Sequence, residues 1–202
     1  QIEHEPFAPI ESYPVNRGFD KFYGVIWGVI DFFDPFSLVE GTKPVRQVPE
    51  DYYFTDAITD KAVDYITESA EKDNPFFLYY AHCAPHWPLH ARREDIEKYR
   101  GKYDGGWEKL RQDRYRRQLE MGLFDKETAP LPELQDGGRK WDELPEDEKA
   151  YQSRKMEVHA AMIDRIDQNF GRVIQTLKDT GQFENTIILF LSDNGASPES
   201  YP

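Results

Sequence analysis

Thr186 to Leu191 (Thr-Ile-Ile-Leu-Phe-Leu) is the segment that most narrows what this chain can fold into. Its side chains are β-branched, aromatic or leucine, without polar alternation. Both faces therefore demand cover, as in a strand inside a parallel sheet. Ser192-Asp193-Asn194-Gly195 follows directly. In open α/β sheets, ligands sit just beyond the carboxyl ends of the strands. Asp193 and Asn194 offer hard oxygen donors, which suit Ca²⁺ or Mg²⁺ rather than zinc or copper. The same residues also read as a plain turn, because Asn and Gly tolerate positive φ. Taken alone, the segment leaves both readings open.

Two helix-to-strand units organise the rest. Ile58, Ala62, Tyr65, Ile66 and Ala70 fall on one helical face, with Thr55 as the expected cap and Lys72-Asp73-Asn74-Pro75 as the stop. Phe76 to Ala81 (FFLYYA) then reads as a buried strand. Later, Met156, His159, Ile163, Ile166, Phe170, Val173, Ile174 and Leu177 mark a long amphipathic helix that stops near Gly181 and leads into the Thr186 strand. This order predicts an α/β fold with a mainly parallel sheet flanked by helices. The stretch up to about Pro49 is rich in Gly, Pro and aromatics, and reads as irregular with one short strand near Val25 to Ile30. Between the two units lies a charged excursion, at about 91–154, broken by Gly105-Gly106, Pro130, Pro132, Gly137-Gly138 and Pro145. A helix over Trp107 to Leu119 is expected within it, with Arg111, Arg114, Arg116 and Arg117 mostly facing solvent. An excursion this long is expected to cap or shape a site.

Charge removes several function classes. With 25 basic against 38 acidic residues the chain carries −13, and a general binder of nucleic acid or of anionic membranes would need a basic face. No apolar run approaches a membrane span. Gln1 to Glu11 lacks the apolar core of a secretory leader, so none is expected at this end. The apolar share of 39% nevertheless supports an ordinary core.

The second candidate site follows the first strand: His82-Cys83-Ala84-Pro85-His86-Trp87-Pro88-Leu89-His90. Histidines at intervals of four suggest a metal site on a helix face, but Pro85 and Pro88 forbid a regular helix there. The segment reads instead as a rigid loop at a sheet edge. His86, between two prolines, is placed to donate to an anionic oxygen or to protonate a leaving group. The competing reading is a packed histidine bonded to a backbone carbonyl. Cys83 directly follows an apolar strand and reads as a buried, inert thiol rather than a nucleophile.

Together the strand-end motifs resemble those of the type I sulfatases of the alkaline-phosphatase-like superfamily, in particular the bacterial arylsulfatases. The matching pieces are Gly18 to Gly24 (GFDKFYG), Tyr52 to Ala62 (YYFTDAITDKA), Phe76 to Ala91 (FFLYYAHCAPHWPLHA), Lys102 to Trp107 (KYDGGW), Ala160 to Leu177 and Leu191 to Gly195 (LSDNG), in the family's order. The resemblance implies hydrolysis of a sulfate ester, with a formylglycine nucleophile and a Ca²⁺ or Mg²⁺ ion that balances the sulfate charge. By match, Asp193 and Asn194 are metal ligands. His86 is a sulfate contact and candidate leaving-group acid.

Several family features have no match in these 202 residues. The formylglycine motif Cys/Ser-x-Pro/Ala-x-Arg is absent, for Trp87 stands where Cys83-Ala84-Pro85-His86 would need an arginine. The paired aspartates that complete the metal site, the Gly-Lys-Trp-His-Leu-Gly segment and a later Gly-x-Lys are also missing. The expectation is an internal piece of a single sulfatase catalytic domain, spanning 1–202, with its formylglycine upstream and no turnover of its own. A phosphodiesterase or phosphonate hydrolase of the same superfamily, or a noncatalytic binding module, are the alternatives. The expected partner is a sulfated small molecule or sulfated sugar. Uncovered sheet edges would favour self-association. A periplasmic or secreted location is implied by the resemblance alone.

Overall fold

The computed structural model describes residues 7–72, 74–133 and 139–195. Its framework is a pair of helices: α1 (Phe54–Glu71) and α4 (Glu146–Asp179), which pack along most of α1. Ile58, Ala62 and Ile66 of α1 are buried at the spacing expected of an amphipathic face. Ala62 and Ile66 meet Val173 and Leu177 of α4, and Leu78, Tyr80, Ile174 and Phe183 close this cluster. Above it, Ile30, Phe32, Leu38, Tyr52, Tyr53, Phe54, Ile58, Ala84 and Met162 form the larger core.

Termini of the two helices follow different logic. The residue at the N-cap of α1 is Tyr53, not Thr55, whose hydroxyl is buried inside the first turn. The first free N–H is met instead by backbone, Phe54 donating to the Phe32 carbonyl at 2.7 Å, while Asp56 places negative charge in the first turn. Helix α4 starts ten residues before Met156. Pro145 precedes it, and Glu146, Asp147 and Glu148 fill its first turn, where acidic side chains oppose the helix dipole. Its stop is as expected: Gly181 has φ of 73°, Gln182 N–H donates to Leu177 O at 2.8 Å and Gly181 N–H to Lys178 O at 3.0 Å. That double bond pattern satisfies the last carbonyls and needs a left-handed residue.

The remaining elements are short. Strands β1 (Tyr23–Val25), β2 (Leu38–Glu40) and β3 (Lys43–Pro44) form an antiparallel sheet in the order β1-β2-β3. The run read as the excursion holds α2 (Arg93–Glu97), α3 (Gly106–Glu120) and the first turns of α4. Helix α3 lies where the sequence places it, with Arg114, Arg116 and Arg117 exposed and Arg111 half-buried. Asp73 of the α1 stop signal and Gly137-Gly138 lie outside the described residues.

The mainly parallel sheet is not seen. Phe76–Ala81 and Thr186–Leu191 form no ladder among the described residues, and the small sheet present is antiparallel. Burial still alternates along the first segment: Leu78, Tyr80 and His82 turn inward while Phe77, Tyr79 and Ala81 are exposed. That period of two is the signature of extended chain. The second segment is barer, with Ile187 90% and Leu189 82% exposed. A strand apolar on both faces needs neighbours for its backbone and its side chains, and none among the described residues supplies them. Two residues read as core on α4 are likewise open, Met156 at 36% and Ile163 at 46%, because the buried stripe runs through Ser153, Glu157, Met162, Asn169 and Val173.

The α1–α4 seam makes a direct prediction. Ile66 is 1% exposed between Val173 and Leu177. Ile66→Ala in the full-length protein is expected to cost about 2–5 kcal/mol of stability, measured by denaturant unfolding.

Candidate active site

The two sequence-predicted sites lie at the ends of the two unladdered segments, and both segments lean on α4. Leu78 and Tyr80 pack into the Val173–Leu177 cluster, and the Phe190 ring meets that of Phe170 at 5.3 Å. His86 forms no hydrogen bond or ion pair with Asp193 or Asn194.

His86 is exposed at the tip of its loop. Its backbone N–H donates to the Cys83 carbonyl at 3.0 Å, closing a turn. Its Nδ1 lies 2.6 Å from the Trp87 carbonyl. A carbonyl can only accept, so Nδ1 carries the proton and donates, which leaves Nε2 as the nitrogen available to a ligand. The ring is bonded to backbone through one nitrogen, as the competing reading has it, but it is exposed rather than packed, and its other nitrogen is presented. In its protonated form Nε2–H is a donor suited to an anionic oxygen.

Cys83 is half-buried against the main core, and burial pushes its thiol up from its ordinary value. A thiol held in that form is a poor nucleophile. His82 is a feature that the sequence did not single out from the histidine run. Its ring packs edge-on to Tyr80, with centroids 4.3 Å apart, and its Nδ1 is buried without a partner among the described residues. Burial alone lowers its pKa to about 4, so it is neutral across the physiological range.

At the other segment, Asp193 and Asn194 are exposed. Among the described residues, the Asp193 carboxylate has no hydrogen bond or ion pair. Asn194 Nδ2 donates to the Gly195 carbonyl at 2.7 Å, and the Ser192 hydroxyl donates to the Asn194 carbonyl at 2.7 Å. The side-chain oxygens of both residues are therefore unclaimed, and the donor set fits a hard divalent cation. Two residues do not complete a coordination sphere of six to eight oxygens. Among the described residues, no group of three or more His, Cys, Asp or Glu is arranged to hold a metal.

The best-built polar cluster joins α1 and α4 to Arg92, at the end of the chain that returns from the His86 loop. Asp56 of α1 accepts from Arg165 Nε and Nη2 at 2.7 Å each, from Asn169 Nδ2 at 2.7 Å and from Arg92 Nε at 2.8 Å. Burial opposes its charge, but these donors outweigh it and hold the Asp56 carboxyl below the usual range. Asp95, 1% exposed, accepts from Gln168 at 3.0 Å and Lys98 at 2.7 Å and faces Arg165 at 3.4 Å. Sequence carried a faint signal of this cluster. Arg165 and Asn169 are four apart, inside the stripe of Met162, Ile166 and Val173, where polar side chains demand a buried partner.

Comparison with known proteins settles the lineage. The sulfatase family model matches residues 4–202. The chain belongs to the sulfatase family. It is 35% identical to an uncharacterized sulfatase of Schizosaccharomyces pombe, over 92% of this chain and 36% of that protein. It is 33% identical to an arylsulfatase of Klebsiella aerogenes, over 96% of this chain and 43% of that one. The chain thus spans well under half the length of these curated relatives. Among solved structures, that of Ps i-CgsB in complex with k-i-k-neocarrahexaose shares the fold, with a TM-score of 0.55 at 22% identity, over 88% of this chain and 33% of that one.

His82 gives this sulfatase chain a pH signature. Its folded pKa of about 4 lies below the ordinary 6.5, so the unfolded chain binds its proton first as pH falls. The contribution of His82 is full above pH 6.5 and is lost as pH drops toward 4. His159, also lowered by burial, acts with the same sign. His82→Phe is expected to flatten, without abolishing, the fall in Tm between pH 6.5 and 4, followed by scanning calorimetry.

Proposed function

We propose that these residues are part of a single catalytic domain of a sulfuric ester hydrolase of arylsulfatase type. The carrying observation is the imidazole of His86, fixed through Nδ1–H to the Trp87 carbonyl with Nε2 free, inside a chain that the sulfatase family model spans. In this reading His86 contacts the sulfate. As the S–O bond breaks, protonated Nε2 gives its proton to the leaving oxygen, so that an alcohol or phenol departs rather than its anion. Asp193 and Asn194 supply two of the oxygen ligands of a Ca²⁺ or Mg²⁺ ion. When bound, that ion would offset the negative charge of the sulfuryl oxygens. The family's nucleophile, a formylglycine, has no motif in this sequence, and the reading assigns it to a part of the enzyme outside these residues.

The substrate is read as a sulfated aryl compound or sulfated sugar. An arylsulfatase lies among the relatives, and a protein of the same fold is described with a neocarrahexaose, a six-sugar chain by its name.

The test uses the full-length enzyme with aryl sulfates, sugar sulfates and phosphate diesters side by side. Sulfate esters are expected to react fastest. His86→Ala is expected to lower kcat by about 10²–10⁴-fold, the usual worth of a general acid. Asp193→Ala is expected to abolish both the Ca²⁺-dependent rise in Tm and the activity that chelation removes. Faster phosphate diester turnover would transfer the assignment to a phosphodiesterase. No turnover and no metal-dependent stability would leave a binding module. The 202-residue chain alone is expected to turn nothing over, and its bare Ile187–Leu191 segment is expected to make it self-associate, seen as a concentration-dependent mass in light scattering.

A further inference from the structure

We infer that Tyr53 and Arg92, the latter fixed by Asp56, are positioning residues that set the register of the His86 loop; the inference rests on the role proposed for His86. The loop leaves the core at Ala84, which is 6% exposed, and must return at a defined place for His86 to hold one orientation. Its return is gripped twice within three residues. Tyr53, 1% exposed, donates its hydroxyl to the His90 carbonyl at 2.9 Å. Arg92 donates through Nε to Asp56 at 2.8 Å and through Nη2 to the Asp51 carbonyl at 3.0 Å, and its guanidinium lies 5.4 Å above the Tyr53 ring. On the other side of the same turn, the Phe32 N–H reaches His90 Nδ1 at 3.4 Å.

Charge balance points the same way. Arg165 already meets both oxygens of Asp56 and also faces Asp95 at 3.4 Å, so one guanidinium stands against two carboxylates before Arg92 is counted. The second guanidinium comes from the end of the loop. It makes Asp56 a carboxylate shared between the helix pair and the segment that carries His86. Arg, with its planar fork, can hold Asp56, the Asp51 carbonyl and the Tyr53 face at once, which a lysine cannot. A loop anchored in this way loses little freedom when a ligand arrives, and small misplacements of a reacting group are costly.

The experiment separates positioning from mere support. In the full-length enzyme, Tyr53→Phe removes one hydroxyl and Arg92→Lys keeps the charge while losing the fork. Both are assayed with aryl sulfates whose leaving groups range from nitrophenol to unsubstituted phenol. A good leaving group departs without a proton, whereas a poor one needs His86. The expected result is a kcat loss of about 10- to 100-fold on the poorest leaving group, little loss on the best and a KM within about twofold. In the double variant with His86→Ala, the loss is expected to vanish, since Tyr53 and Arg92 act through His86. A loss equal across leaving groups, or a lowered Tm with unchanged kcat below it, overturns the inference and leaves the proposed function standing. An unaffected leaving-group slope in His86→Ala itself brings down the role of His86, and this inference with it.

Discussion

Asp56 is the constraint on which the rest of the described structure turns. A carboxylate partly buried between two helices is costly unless its charge is met and its lone pairs are filled, and here four donors from two other segments do both. Arg165 and Asn169 are one turn apart on α4, so their joint grip fixes the rotation of α4 as well as its distance. Arg92 adds the chain that returns from the His86 loop. Hydrophobic contacts farther along the seam, Ala62 and Ile66 against Val173 and Leu177, supply area but little direction. The polar end gives the pair its register, and the apolar end most of its driving force.

That division explains which parts were legible in the sequence. Periodicity reports burial on one face, so the α1 stripe of Ile58, Ala62 and Ile66 and the terminus at Gly181 were readable from spacing alone. The start of α4 was not, because Glu146 to Tyr151 has no apolar stripe. It is held by first-turn charge, and Glu157 accepts the Gly101 N–H at 2.8 Å while the Ser153 hydroxyl donates to Asp104 at 2.6 Å. Buried polar residues of this kind look like solvent-facing ones until their partner, here some 50 residues away, is known. Met156 and Ile163 failed for the converse reason, since an apolar side chain on a helix reveals a preference for burial but not which neighbour grants it.

The segments Phe76–Ala81 and Thr186–Leu191 carry the same lesson about sheets. Their composition states a need for neighbours on both edges and both faces, and composition is a local property. The ladder is not local: it exists only where other strands are set alongside. Loop chemistry was more accessible. Two prolines excluded the helix-face metal site, and His86 lies in a loop, one nitrogen bonded to Trp87 and the other open. A backbone-bonded histidine need not be a packed one, because imidazole has two nitrogens with separate fates, and the ring of His86 is exposed.

The charge balance of the chain bears on how an anion could be handled here. At −13 the net charge of these 202 residues repels an anion such as the sulfate ester proposed above, so within them attraction must come from a few local cations. In the α1–α4 cluster the guanidiniums are already committed, Arg92 and Arg165 to Asp56, and farther along α4 Arg172 to Asp60. They orient the scaffold rather than face a ligand. In the proposed site, positive charge would come from the imidazolium of His86 and from an ion on the unclaimed oxygens of Asp193 and Asn194. A bound ion has the further merit that its charge is present only where its ligands converge, so a strongly acidic surface and an anion site can coexist.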